Sequence, residues 1–435
     1  MEIYQKILKY AEEAAPDMSA IRRDFHKYAE TGWFEMRTSS IIARKLSELG
    51  YEVLVGDAVC KKDERMGVPS EAKLKESYLR AQEQGADTEF LKATEGGMTG
   101  VIGILRCGAG PTVAMRFDID ALGVFESKDE EHIPAKEGFA SVNEGSMHAC
   151  GHDGHAASGL GVAAVLMKIK EHLHGTIKLI FQPGEEGLRG AKSIVANGHL
   201  DDVDYLLGSH VTGYDAEKND VTPGSYGSLA SCKYDVVFRG LAAHAGGSPQ
   251  DGKNALLAAA TAVTNLYAIP RHAAGATRIN VGRLIAGSGR NVICDEAFME
   301  LEVRGETTEI NDYVDKYAMR ILKAASEMHD CTMEVKLMGA AQSIVADEEF
   351  SRHVASVCKE KLGLKVSDKL LLKLGGSEDF SYMSNCVLGH GGKASFIRVR
   401  TEKAGVSHGR TFDFGEGYMT KVVKVFCGMA YDIMK

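Results

Sequence analysis

Between residues 101 and 209, short β-branched runs alternate with helical segments. They are Val101 to Leu105, Thr112 to Phe117, a helix from about His155 to His172, Thr176 to Gln182, a short helix, then Tyr205 to Ser209. Alternation of this kind restricts the chain to an α/β sheet. The segment from Cys232 to Met338 follows another plan: strand 232–240, a helix near 253–268, strands 277–285 and 296–304, a helix near 311–328, and strand 331–338. That order, β-α-β-β-α-β, is the ferredoxin-like unit. Because α/β character returns afterwards (a helix from His353 to Leu362, a strand from Ala394 to Val399), the unit reads as a domain inserted into a larger one. The expected division is 1–223 and 340–435 for the larger domain and 224–339 for the insert, with boundaries near Pro223-Gly224 and Gly339-Ala340. Residues 3–50 carry helical spacing, and residues 61–97 form a charged helical insertion.

A chain of 435 residues exceeds one ordinary core, which agrees with two domains. Its net charge of −9, with no basic stripe, argues against nucleic acid and against an anionic membrane surface. No run of about 18 apolar residues exists, and the first residues lack an export signal's apolar core. Nine cysteines, an odd number scattered along the chain, read as reduced thiols. The expectation is a cytoplasmic protein.

One stretch concentrates chemistry: Met147-His148-Ala149-Cys150-Gly151-His152-Asp153-Gly154-His155 holds a thiol, three imidazoles and a carboxylate. Such density suits a metal. If the segment is extended, Cys150 and His152 at i and i+2 point to one side. Other candidates follow strands: Asp118 and Asp120 after 112–117, Glu185 and Glu186 after 176–182, His210 at the end of 205–209, and His408 beyond 394–399. Ligands of open α/β sheets bind at the carboxyl ends of strands, so these side chains are expected to converge. Taken singly, Glu185-Glu186 is equally a solvated acidic turn, and His210 or His408 an ordinary histidine. The Phe181-Gln182-Pro183-Gly184 bend presents the two carboxylates in different directions, which allows one to bind metal and the other to carry a proton.

In the insert, His244 lies on a small-residue loop, Asn291 follows Gly287-Ser288-Gly289-Arg290, and Arg304 ends an alternating strand. They suit an oxyanion and a substrate carboxylate, or plain turn and surface roles. Gly159-Leu160-Gly161-Val162-Ala163-Ala164 fits a dinucleotide-binding pattern but sits inside a helix with no strand before it.

The blocks Arg22 to His26, Arg116 to Leu122, Met147 to His155, Phe181 to Gly187, Ala243 to Asn254, Gly287 to Val292 and Gly376 to Phe380 resemble the amidohydrolase branch of the aminoacylase and carboxypeptidase G metallopeptidase family. The resemblance implies a two-metal exopeptidase-like catalytic domain with a mixed sheet, and makes the insert a lid that also mediates dimerisation. It implies two divalent ions per chain, Zn or Mn. Carried onto this chain, Cys150 bridges the ions and His152, Glu186, His210 and His408 complete the ligands. Glu185 is the general base, Asp120 orients a ligand, His244 supports the oxyanion, and Asn291 and Arg304 hold the substrate's amino-acid end. The implied substrate is a small N-acyl or N-aroyl amino acid, foremost p-aminobenzoyl-glutamate, with hippurate-like or indole-acetyl conjugates as the alternative. Implied partners are a second copy of the chain and a related, different subunit; the rival reading is a non-catalytic member of the same fold. Gly409 stands where the branch usually has Asn, Gly184 where it has Ala, and Cys294 where Pro is common; none removes a ligand.

Overall fold

A computed structural model describes residues 2–435, and the chain divides into two compact units. The first comprises Met1–Tyr226, Ile344–Lys373 and Asp379–Lys435; the second, Gly227–Ser343 and Leu374–Glu378.

The first unit is built on a seven-stranded mixed sheet, in the order Glu52–Val55, Val101–Arg106, Thr176–Gln182, Thr112–Asp118, Tyr205–Gly213, Lys393–Thr401, Val221–Thr222. The four strands from Thr176–Gln182 to Lys393–Thr401 run parallel, and the strands outside them antiparallel. Parallel strands are covered on both faces, which is why Thr176–Gln182 reads as an almost unbroken apolar run. One face is packed by helix His152–Ile169, itself enclosed by helices Ala15–Lys27 and Gly417–Met434. Being apolar on every side, that helix suits a fully enclosed position. Gly159 explains its own pattern: a Cβ there would lie 2.6 Å from Phe181 and 2.8 Å from Phe117, so the glycine lets helix and sheet close. The dinucleotide-like sequence is helix packing.

The segment 61–97 contributes helix Glu71–Glu83, whose Leu74 and Ala81 join Met36, Ala86 and Leu91 in a small separate core. Among the described residues, no helix is long and apolar enough to cross a membrane.

The second unit has strands Ala230–Arg239, Thr277–Ala286, Glu296–Gly305 and Thr332–Ala341, with helices Ala255–Tyr267 and Thr308–Met328. Its sheet is antiparallel, with the last strand beside the first and the third between the first and the second. This is the ferredoxin-like order. Ala297, Met299, Leu301 and Val303 alternate inward from Glu296–Gly305, while Glu296, Phe298, Glu300 and Glu302 point away.

Candidate metal centre

The four parallel strands end on one rim, and the connections leaving that rim supply most of the predicted residues. The route to Cys150 and His152 differs from the extended segment expected. Gly151 takes φ +93°, and the helix begins at His152, so a glycine hinge at a helix N-terminus aims the two side chains. His210 likewise lies inside its strand, which continues to Gly213. His408, at φ +65°, is held by its backbone N–H donating to the Ala149 carbonyl at 2.8 Å, which seats its loop on the Cys150 loop.

Two overlapping sets of possible ligand atoms result: Cys150, His152 and His210, and Cys150, Glu186 and His408. Within each set the atoms lie within 4.8 Å of one another, and Cys150 belongs to both. Cys150 Sγ is 3.3 Å from His210 Nε2, while Glu186 Oε1 is 3.6 Å from His408 Nε2 and 4.0 Å from His152 Nε2. His152 Nε2 and Glu186 Oε1 are buried without a hydrogen-bond partner. Buried polar atoms are rarely left so, and an imidazole nitrogen and a carboxylate oxygen beside a thiol make a donor set that fits divalent metal.

The surroundings set direction and charge. Asp120, buried, accepts the Glu185 and Glu186 backbone N–H groups at 3.0 and 2.9 Å. His152 Nδ1 lies 2.9 Å from the Asp120 carbonyl and 3.3 Å from its carboxylate, which turns Nε2 toward the cluster. His210 Nδ1 donates to the Val211 carbonyl at 2.8 Å, freeing Nε2 in the same way. Asp118 pairs with Arg116 at 2.6 Å and with His155 Nδ1, and His155 Nε2 accepts the Val211 N–H at 3.1 Å. Burial alone would raise Asp118, but Arg116, His152 and His155 hold it well below the usual carboxylate range. Burial, reinforced by Asp120 and Asp118, pushes Glu186 up to about 7 despite the opposing effect of His152. Burial and Glu186 push the Cys150 thiol up to about 11. His152 is held well above its usual value, since Asp118 and Asp120 outweigh burial. These carboxylates and the thiol crowd one buried space, an arrangement that a cation relieves.

The remaining predicted residues lie in the second unit, described by itself. His244 bridges to Val292, and Ala245 N–H donates to the Asn291 carbonyl at 3.0 Å, so His244 and Asn291 are neighbours. His244 Nδ1 accepts the Gly246 and Gly247 N–H groups at 3.1 and 2.9 Å, which leaves Nε2 as the protonated nitrogen. Arg304 is not brought to them. It occupies the far end of strand Glu296–Gly305, roughly 27 Å along the strand from Glu296, and bonds Glu302 at 2.8 Å.

Sequence reasoning left some participants without a role. Arg22 pairs with Asp153 at 3.0 Å and with Asp413; His26 bonds Asp153 and Glu126, each at 2.9 Å. The charge-rich run Arg22 to His26 inside a helix was the available signal. Glu35 carried none.

The profile of peptidase family M20/M25/M40 matches residues 114–432. The chain is 45% identical to the indole-3-acetyl-aspartic acid hydrolase of Enterobacter agglomerans, over 96% of this chain and 95% of that one. It is 42% identical to one of the subunits of p-aminobenzoyl-glutamate hydrolase from Escherichia coli K12, over 98% of both chains. The crystal structure of an aminobenzoyl-glutamate utilization protein from Klebsiella pneumoniae superposes with a TM-score of 0.83 at 38% identity, covering 98% of this chain and 97% of that one. A profile match across most of the chain, together with full-length likeness to these hydrolases, makes it a metal-dependent amidohydrolase of peptidase family M20/M25/M40.

Proposed function

We propose that the protein hydrolyses the amide of an aromatic acyl group joined to an acidic amino acid, foremost p-aminobenzoyl-glutamate, to p-aminobenzoate and glutamate. The carrying observation is the pair of ligand sets sharing Cys150, which suits two ions bridged by one thiolate. Cys150, His152, Glu186, His210 and His408 would hold the ions, zinc or manganese. When bound, the ions polarise the scissile carbonyl and acidify water.

Glu185 is the proton carrier. It takes a proton from the attacking water and delivers it to the amide nitrogen as the C–N bond breaks. Its carboxylate shares a cluster with the His152 imidazole and the Glu186 carboxylate, and its backbone is fixed by Asp120. In the second unit, His244 would donate Nε2–H to the developing oxyanion, while Asn291 and Arg304 would hold the amino-acid end of the substrate. The length of strand separating His244 from Arg304 supports their serving different centres of a homodimer, His244 in the partner's. Exposed Leu256, Leu257, Tyr267, Leu284 and Ile285 on the same unit support such a dimer. That the Escherichia coli relative is named as one of several subunits supports a related, different chain as a further partner. Nine free cysteines support a reducing compartment, the cytoplasm.

A second reading, indole-3-acetyl-aspartate as substrate, is favoured by the 45% identity to that hydrolase. Both names combine an aromatic acyl group with an acidic amino acid. The test is release of the aromatic acid from each conjugate by metal-stripped protein before and after adding Zn or Mn. Restored turnover of the aminobenzoyl-glutamate conjugate, exceeding that of the indole conjugate, is expected. Preference for a neutral amino acid or an aliphatic acyl group would overturn the substrate class.

A further inference from the structure

Glu35 lies in no block that pointed to the site, yet its carboxylate is fully buried against the turn that carries Glu185 and Glu186. One oxygen accepts the Gly184 N–H at 2.8 Å and the other the Thr99 hydroxyl at 2.7 Å. Asp120 accepts the next two N–H groups, of Glu185 and Glu186. Three consecutive backbone donors are thus captured by two carboxylates from separate parts of the chain.

The segment bearing Glu35 is itself pinned. Ala121 N–H donates to the Glu30 carbonyl at 2.7 Å, and Thr31 bridges to Ala121, so residues 30–31 run beside the Asp120 loop. Gly32 allows the close approach: a Cβ there would sit 3.1 Å from Gly184 Cα and 3.5 Å from Asp120 Oδ2. Trp33 then turns the chain through a left-handed φ of +68° while its indole N–H donates to the Met66 carbonyl at 2.7 Å. A bulky residue holds that conformation only where its surroundings over-determine it. The left-handed turn delivers Glu35 to the interior, and on the other side of the connection Asp379 accepts the Gly190 and Ala191 N–H groups at 3.2 and 3.0 Å.

We infer that Glu35 is a positioning residue for the hydrolysis, acting through the Gly184 N–H to fix the direction in which Glu185 presents its carboxylate. The inference rests on Glu185 as the proton carrier. Removing the Glu35 acceptor leaves a buried N–H unpaired and lets the turn shift, and sub-ångström placement of the proton carrier governs rate more than substrate binding.

The experiment compares Glu35→Ala, Glu35→Gln and Glu185→Gln as metal-loaded enzymes, reading kcat, KM, metal content and folded fraction. Glu35→Ala is expected to lose kcat by about 100-fold with two ions retained and KM little changed. Glu35→Gln is expected to restore most of it, because the amide oxygen can accept the Gly184 N–H and its NH2 can donate to Thr99. Wild-type kcat per folded site in Glu35→Ala, or equal losses in the Ala and Gln variants, would overturn the assignment. Should Glu35→Ala fail to fold, Gly32→Ala carries the test. Its methyl presses the same turn from the other side, so an unchanged kcat there overturns the proposal and a fall with metal retained supports it. Glu185→Gln separates the two claims. If it keeps its rate, the proton-carrier reading fails and this inference with it; if it loses rate while Glu35→Ala does not, only the inference fails.

Discussion

Cys150 and Glu185 divide the chemistry between holding charge and moving a proton. Cys150 is the atom common to both ligand sets, and its thiol is pushed up to about 11 by burial and by Glu186. Metal binding must therefore release that proton, and uptake by stripped protein is expected to strengthen as pH rises toward that value. Cys150→Ser should lower metal occupancy at every pH, since a hydroxyl is a poorer bridging anion than a thiolate; titration with zinc and a chelator checks it. Glu185→Ala should leave both ions bound but reduce kcat by about 1,000-fold, within the range expected for a lost proton carrier. Metal analysis beside steady-state kinetics separates the two variants. Arg304→Ala should raise KM for substrates with a free carboxylate, and equal effects on an esterified substrate would remove Arg304 from that role.

At the scale of elements, the start of helix His152–Ile169 decides whether a ligand pair exists. Gly151 has φ +93°, and a Cβ there would lie 2.7 Å from Val211 Cγ1. Gly151→Ala is expected to destabilise the protein by about 1–3 kcal/mol and to loosen metal at the same time, because the strained residue stands between Cys150 and His152. Thermal melting with and without metal measures both. The extended geometry inferred for this stretch placed the right atoms together for the wrong reason. Period-two alternation was one way to aim i and i+2 alike; a left-handed hinge ahead of a helix is another, and Gly-His-Asp-Gly is compatible with both. The strands show the opposite case, since their apolar runs located the rim before any contact was known.

Across the first unit, the helix carrying Arg22 and His26 is fastened to the metal-site helix through Asp153. Burial opposes a charge on His26, but its bonds to Asp153 and Glu126 raise it from 6.5 to about 9. A histidine raised on folding favours the folded state while protonated in it. That contribution, roughly 3 kcal/mol, is whole below pH about 6.5 and lost as pH rises through about 9. Denaturant unfolding is expected to show stability falling over that window, with a shallower fall in His26→Gln. In the second unit, Leu257→Lys or Ile285→Glu should shift a dimer toward monomer in sedimentation, since each places a charge on an exposed apolar patch.

What the sequence determined by itself was the kind of parts and their chemistry. Alternating apolar runs specify a parallel sheet, a β-α-β-β-α-β order specifies the second unit, and a thiol beside histidines and carboxylates specifies metal. Those signals are local, because the hydrophobic period and the ligand type are properties of a few neighbouring residues. Only the tertiary structure decided which carboxylates support the site. Glu35 and Asp120 act on backbone N–H groups about 65 to 149 residues away in the chain, and a hydrogen bond to a main-chain amide imposes no residue type that spacing could reveal. The same holds for the separation of His244 from Arg304. Both stood in the sequence as candidate substrate contacts, and strand register alone set them at opposite ends of one sheet.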